Sequence, residues 1–591
     1  MISLFTACPA PENVVGTDEQ QPPAEKILSL SQTQAIKTVP LRETLSGSYL
    51  SSRFAQRHHD WGQATSFVQD VLTHVPSDLS LKKRSMVLAM GSGRHELAIT
   101  HAHNVLAEEP YNALALLFTA MEDFKNKEYD EANERINSMP LGSLSSFIMP
   151  LLQSWSQAAL GVNQTVELRN SALHIYHAIL IADYLKQHDT VKALLDQSLD
   201  VGDISTNDLT RIATIYAHIG DTKRALDIFQ KVLAIEPDNG SALANVKRIK
   251  EGDNLRIFDA IESPEDGLAE TMFDMARILY ADYSDESARI FGYLALFLSP
   301  DKIDAKMLLA HIAARNERYD EAISLFQSVP AGDDLYFEAR RLAANLLEEE
   351  GRIDEALATL NTLVQNQDDI DALIQIGDLH RRAENFPDAI VMYDKAIAKF
   401  DGEVPPDYWQ LYYVRGMSYE QDDQWEKAEA DLKKALEYQP DHPFVLNYLG
   451  YSWADQGVRL EESLNMIQRA VSGRPDDGYI TDSLGWVYYK LGRYEESVSP
   501  LERAVELLPY DPIINDHLGD AYWKVGRRLE ARFQWERAKN HSDDPELIKV
   551  IDHKLENGLD QPVPIAEEVD AKTIIEDTSL PEPSGQTLID Q

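Results

Sequence analysis

Histidines that could grip a metal come in pairs: His58-His59, His101-x-His103 and His174-x2-His177. A protein metal site needs three or four ligands, and no third ligand is signalled beside any pair, so these read as surface or packing groups. Gly91-Ser92-Gly93-Arg94 has the glycines of a phosphate cradle but not the Gly-x4-Gly-Lys-[Ser/Thr] pattern, and it falls where a chain turns between helices. The metalloprotease pattern His-Glu-x-x-His is absent from the sequence. Carboxylates are so frequent, at 98 Asp and Glu in 591 residues, that a pair of them carries no information. No catalytic residue, metal or cofactor is expected. The chemistry on offer is that of a surface that holds something.

Net charge excludes one class of cargo. With 98 acids against 55 bases the chain carries −43, which repels phosphate backbones and disfavours nucleic acid. Its single cysteine, Cys8, excludes an internal disulfide and a thiolate metal cluster. No apolar run approaches the length of a bilayer span. At 591 residues the chain exceeds what one hydrophobic core supports, so it divides into domains or repeats.

A repeat is written in small residues. Ala64, Ala98 and Ala132 lie 34 apart, Ala193 and Ala225 lie 32 apart, and a long series runs through Ala288, Ala322, Ala356, Ala389, Ala428, Ser463, Ser497 and Ala531. Twelve residues ahead of the small one stand Gly377, Gly416, Gly485 and Gly519, with Gly450 thirteen ahead. Prolines close the units at Pro76, Pro110, Pro237, Pro300, Pro440, Pro475 and Pro509. The glycine and the alanine mark where two antiparallel helices cross closely. The large group four residues on (Phe229, Phe326, Tyr393, Leu432, Leu501, Trp535) fills the space left, and proline ends the second helix for want of an N–H. No unit can bury its apolar face alone, so stacking must supply the rest.

These residues resemble the tetratricopeptide-repeat (TPR) family. The clearest unit runs Asp482-Ser483-Leu484-Gly485-Trp486-Val487-Tyr488, Gly492-Arg493-Tyr494-Glu495-Glu496-Ser497, then Leu501, Ala504 and Pro509. The resemblance implies an all-α fold, a right-handed superhelical solenoid of stacked helix-turn-helix repeats. The organisation expected is a lipobox-like start and tether at 1–30, a degenerate helical array at 31–262, a well-formed array at 263–541, a solvating helix at 542–558 and an acidic tail at 559–591. Residues 141–190 and 239–263 look helical but lack the signature.

In this family the first helix of each unit lines a concave surface on which partners lie. By that resemblance the groove residues are Phe444, Asn447, Tyr451, Tyr479, Asp482, Trp486, Tyr489, Lys490, Asp516, Asp520, Trp523 and Lys524, a stripe suited to an extended peptide or a partner helix. Tyr451 and Trp486 could equally pack on the next repeat, whereas Tyr489 and Trp523 are expected to be exposed. Asp482, Asp516 and Asp520 stand where chaperone-binding members grip a terminal carboxylate, so that role is disfavoured.

Leu4-Phe5-Thr6-Ala7-Cys8, followed by the Pro-rich stretch 9–26, resembles a bacterial lipobox and tether, which implies a lipid on Cys8 and the periplasmic face of the outer membrane. With that start, the plan resembles bacterial outer-membrane TPR lipoproteins that serve as adaptors for carboxyl-terminal processing proteases and their cell-wall hydrolase substrates. Asn447-Tyr448-Leu449-Gly450-Tyr451-Ser452-Trp453-Ala454-Asp455 carries the resemblance. A polysaccharide-export scaffold, or a cytoplasmic assembly factor should Cys8 carry no lipid, are the alternatives. All three are protein-binding and none is an enzyme.

Overall fold

The computed structural model describes residues 44–559, except short stretches at 141–146, 166–167, 169–170, 200–203, 237–238, 253–260, 334, 368 and 401. Cys8, the tether and the tail from 560 lie outside the described residues. Among those described the chain forms 29 α-helices and no strand, an all-α solenoid of helix pairs. Contacts divide it into an N-terminal unit reaching Leu346 and a C-terminal unit beginning at Leu347.

Local chemistry sets the helix ends. Side chains of Asp78, Asn112, Asp369, Asp477 and Asp511 each accept a hydrogen bond from a backbone N–H three residues on, satisfying a donor that the helix leaves free. At the helix-to-helix reversals the chain turns through a left-handed residue, with Arg459 joining Gly457 in one of them. These stand at His59, Gly93, Lys127 and Gly161, then at Lys186 and Gly220, then at Tyr283, Glu317, Gly351, Glu384, Asp423, Gly457, Gly492 and Gly526. Most steps are 33–35 residues. The stretch Gly91-Ser92-Gly93-Arg94 is one of these turns.

The helix crossings are as tight as the repeat predicts. A Cβ added to Gly485 would lie 2.3 Å from Leu501, and one at Gly377 or Gly519 would lie 2.5 Å or 2.4 Å from Tyr393 or Trp535. The signature-poor stretch 141–190 now has a reason. Helix Ile148–Ala159 ends at left-handed Gly161, yet among the described residues no second helix follows before Ala172–Tyr184. That unit has lost its second half, and the proline and alanine markers with it.

The N-terminal unit extends well past residue 262, where the repeat signature sharpens. The helical hairpin of Pro264–Ala281 and Asp285–Leu298 packs not only on its neighbours but back on Leu79–Gly91, Ala113–Lys125, Ile148–Ala159 and Ala172–Tyr184. These are first helices of the earlier units, so the hairpin fills the face that those helices share. Gly267 lies on the Trp155 indole so closely that a Cβ there would meet it at 2.3 Å. Lys125 Nζ stands 4.2 Å over the Phe297 ring, and the Tyr129 hydroxyl donates to Glu265 at 2.8 Å. One continuous hydrophobic core runs from Ala55 to Ile312 as a result.

A buried polar network pins the hairpin. The Trp155 indole N–H donates to His177 Nδ1 at 3.2 Å, which leaves the proton on Nε2 to bond Asp274 at 3.2 Å. Arg211 reaches both Asp274, at 2.9 Å, and Glu270. Burial alone would raise the Asp274 carboxyl; the Arg211 guanidinium and His177 outweigh it and hold it well below the ordinary carboxylate range. Two of the three histidine pairs are hydrogen-bonded within the fold. His177 and His174 bond Asp274 and the Phe147 carbonyl, and His101 and His103 bond Gln69 and Glu122.

Candidate partner-binding face

In the C-terminal unit five first helices succeed one another: Ile370–Arg382, Trp409–Gln421, Pro443–Asp455, Gly478–Lys490 and Pro512–Lys524. Consecutive members of the last three touch directly, so their outward side chains share one face. The residues expected there do not share one fate.

Phe444, Asn447, Tyr479, Trp486, Tyr489 and Lys490 are half-buried and reachable, and Lys524 is exposed. The Trp486 ring lies between two others, 4.9 Å from Tyr489 and 3.9 Å from His517, nearly parallel to both. Its indole nitrogen has no hydrogen-bond partner, nor has Asn447 Oδ1. Lys490 is tied to Asp455 at 3.2 Å and stands 5.2 Å over the Trp486 ring.

Five others are buried. Tyr451 packs inward, so the packing alternative holds for it. Asp482 is committed to His517, whose Nδ1 lies 2.9 Å from one carboxylate oxygen and 3.1 Å from the other. Burial lowers the His517 imidazole, but Asp482 outweighs burial and raises it, so the ring favours its charged form. The expected exposure of Trp523 is not found: it is only 8% exposed. Gly558 sits against its ring, where a Cβ would come within 2.0 Å.

What covers Trp523 also covers Asp516 and Asp520. The cap helix Pro545–Asn557 inserts Lys554, whose ammonium pairs with Asp520 at 2.9 Å and with Asp516. Burial pushes the Asp520 carboxyl up to about 6, against the pull of Lys554 and with the help of Asp516. Lys554 stands 34 residues after Asp520, so the cap takes the register of the first helix of a further repeat. That register is the signal that would have placed Asp516, Asp520 and Trp523 indoors. His517 was not singled out from the sequence because its position does not face the groove in the repeat pattern, and Lys554 because the helix that carries it was set apart from the repeats.

Models of the tetratricopeptide repeat match residues 209–243, 313–376, 374–443, 413–477 and 458–512. A TPR repeat-containing protein of Pseudomonas aeruginosa is 30% identical over 185 residues, which span 31% of this chain and 31% of that protein. Among solved structures, a tetratricopeptide repeat protein from Parabacteroides merdae aligns over 43% of this chain and 97% of its own, at 15% identity and TM-score 0.34. YrrB, described as a TPR protein with an unusual peptide-binding site, aligns over 32% of this chain and 94% of its own, at 20% identity and TM-score 0.26. The MamA protein aligns over 33% and 98%, at 21% identity and TM-score 0.25. Residues 209–243 and 313–512 thus carry tetratricopeptide repeats.

Proposed function

We propose that this protein is a non-enzymatic scaffold that holds a partner protein on the face formed by Pro443–Asp455 and Gly478–Lys490. The observation that carries the reading is the stack Tyr489–Trp486–His517 beside half-buried Phe444, Asn447 and Tyr479. Aromatic groups of this kind supply contact area at low conformational cost, which suits an extended segment or a partner helix. The lipobox-like Cys8 and the tether support a second element, attachment to the bacterial outer membrane by a lipid. The partners then belong to the periplasm, a processing protease and its cell-wall hydrolase substrates, gathered on one surface so that each meets the other at raised local concentration.

Crosslinked capture from membranes of the native host tests both elements. Recovery of a processing protease with cell-wall hydrolases, lost from a Trp486→Ala/Tyr489→Ala double variant that still folds, is the expected result. Recovery of export-machine components or of cytoplasmic proteins alone overturns the adaptor reading. Undiminished capture by the double variant removes the face.

A further inference from the structure

Helix Leu45–Arg57 turns its small residues inward: Gly47, Ser48, Ser52 and Ala55 are buried. Its other side shows Leu45, Tyr49, Leu50 and Phe54, with Leu50 and Phe54 at 64% and 65% exposure. A single exposed leucine is ordinary, but four large apolar groups on one helix of 13 residues form a patch. The helix carries Arg53 and Arg57 and no acid. Arg84 of Leu79–Gly91 lies on the inner side of the helix, 3.4 Å from the buried Ser52 carbonyl, so the outer face keeps two guanidinium groups. From 44 to 94 the bases are Arg53, Arg57, Lys82, Lys83, Arg84 and Arg94, against Asp60, Asp70 and Asp78, in a chain of net charge −43. Lys82 and Lys83 are answered by Glu108 and Glu109, and Glu286 approaches Gln56. The arginines bordering the apolar stripe set its sign.

We propose that this face docks on an anionic membrane surface. Leu50 and Phe54 enter the boundary between headgroups and acyl chains, Tyr49 rests at its polar edge, and Arg53 and Arg57 meet lipid phosphates. Charge favours this occupant over a second copy, which would bring its own −43 to the contact. The acidic remainder of the chain is repelled by the same surface, so the molecule stands on this end. The proposal rests on the exposed face and holds with or without a lipid on Cys8.

The full-length chain carrying Cys8→Ala has no thiol and no site for an acyl group. Its sedimentation with vesicles containing roughly one-third phosphatidylglycerol should exceed that with phosphatidylcholine alone by about fivefold or more, and should fall as salt is raised. Leu50→Glu should abolish the excess while leaving thermal unfolding unchanged, because Leu50 is exposed. In parallel, Phe54→Cys in the same background carries a polarity-sensitive fluorophore whose emission should shift to the blue only when anionic vesicles are added. Absence of vesicle binding overturns the proposal. So does emission already shifted without vesicles, which would mean that the chain's own residues cover the face, and so does a shift that grows with protein concentration, which would mean a second copy.

Discussion

In the N-terminal unit the first helices of successive pairs pack against the hairpin of residues 264–298, whereas in the C-terminal unit the corresponding face carries Phe444, Asn447, Tyr479, Trp486 and Tyr489 half-open. Both faces are built by the same helix pairing and the same left-handed turns. The difference lies in what sits against them. One unit supplies its own occupant, anchored by Asp274 and by Gly267 under Trp155, and is left with a closed core. Among the described residues the other supplies a one-helix cap at its far end, where Lys554 pairs with Asp516 and Asp520. A repeat array therefore does not bind partners merely by being an array; a face is available only where the chain has not spent it on itself.

The sharpest way to break this comparison is to remove the pin of the filled unit. Asp274→Ala takes from buried His177 its carboxylate partner and leaves Arg211 to Glu270 alone, which should cost about 3 kcal/mol. Hydrogen exchange should show protection lost across 264–298 while 443–524 keeps its own. Equal loss in both would mean that the hairpin is not a separate lock.

Gly485→Leu attacks the open unit at a crossing instead. Its side chain would collide with Leu501, and overpacking should cost about 1–3 kcal/mol, read as a lower Tm with loss of protection centred on 478–507. An unchanged Tm would mean that the crossing can relax, contrary to the contact distance.

Acidity separates the units more gently. An unfolded Asp titrates near 3.9 and an unfolded His near 6.5, by ordinary reference values. Asp274, depressed in the fold, adds stability that is present above about 3.9 and lost as pH falls below it. Asp520 is raised to about 6, so between roughly 4 and 6 the folded state keeps a proton that the unfolded state has released, and stability declines as pH rises through that window. His517, raised by Asp482, adds stability that is full below about 6.5 and lost as pH passes its raised value. Protection factors in 545–557 should then fall several-fold between about pH 5.5 and 8, while those in 264–281 stay level. A parallel change in both segments would show that the titrating groups lie elsewhere.

Much of this fold was legible because its markers are local. Gly485 with Leu501, and Gly519 with Trp535, announce a crossing within seventeen residues of sequence. The hairpin's role was not legible, because Arg211 meets Glu270 and Asp274 across 59 and 63 residues, and Tyr129 meets Glu265 across 136. No periodicity records such pairings. Asp516, Asp520 and Trp523 are buried for one reason, the cap that lies over them in the register of another first helix, whereas Tyr451 packs inward and Asp482 pairs with His517. Tyr489 remained accessible because its ring stacks along the face on Trp486 instead of beneath a following helix.

The smallest expected effect tests whether the turns, shared by both units, are equivalent. Glu317 in the N-terminal unit and Glu384 in the C-terminal unit hold φ of 57° and 56°, where Gly93, Gly351 and Gly492 serve in sister turns. A side chain in the left-handed region costs about 1–2 kcal/mol, but glycine returns about 0.4–1 kcal/mol of that to the unfolded chain as entropy. Glu317→Gly and Glu384→Gly should each therefore gain about 0.5 kcal/mol. Gly492→Ala, forced to φ of 74° in open space, should lose about 1 kcal/mol. Both gains should appear as small rises in Tm. If Glu317→Gly were neutral while Glu384→Gly stabilised, the turns of the closed unit would be held by the core that grips the hairpin, and the left-handed residue there would no longer limit stability.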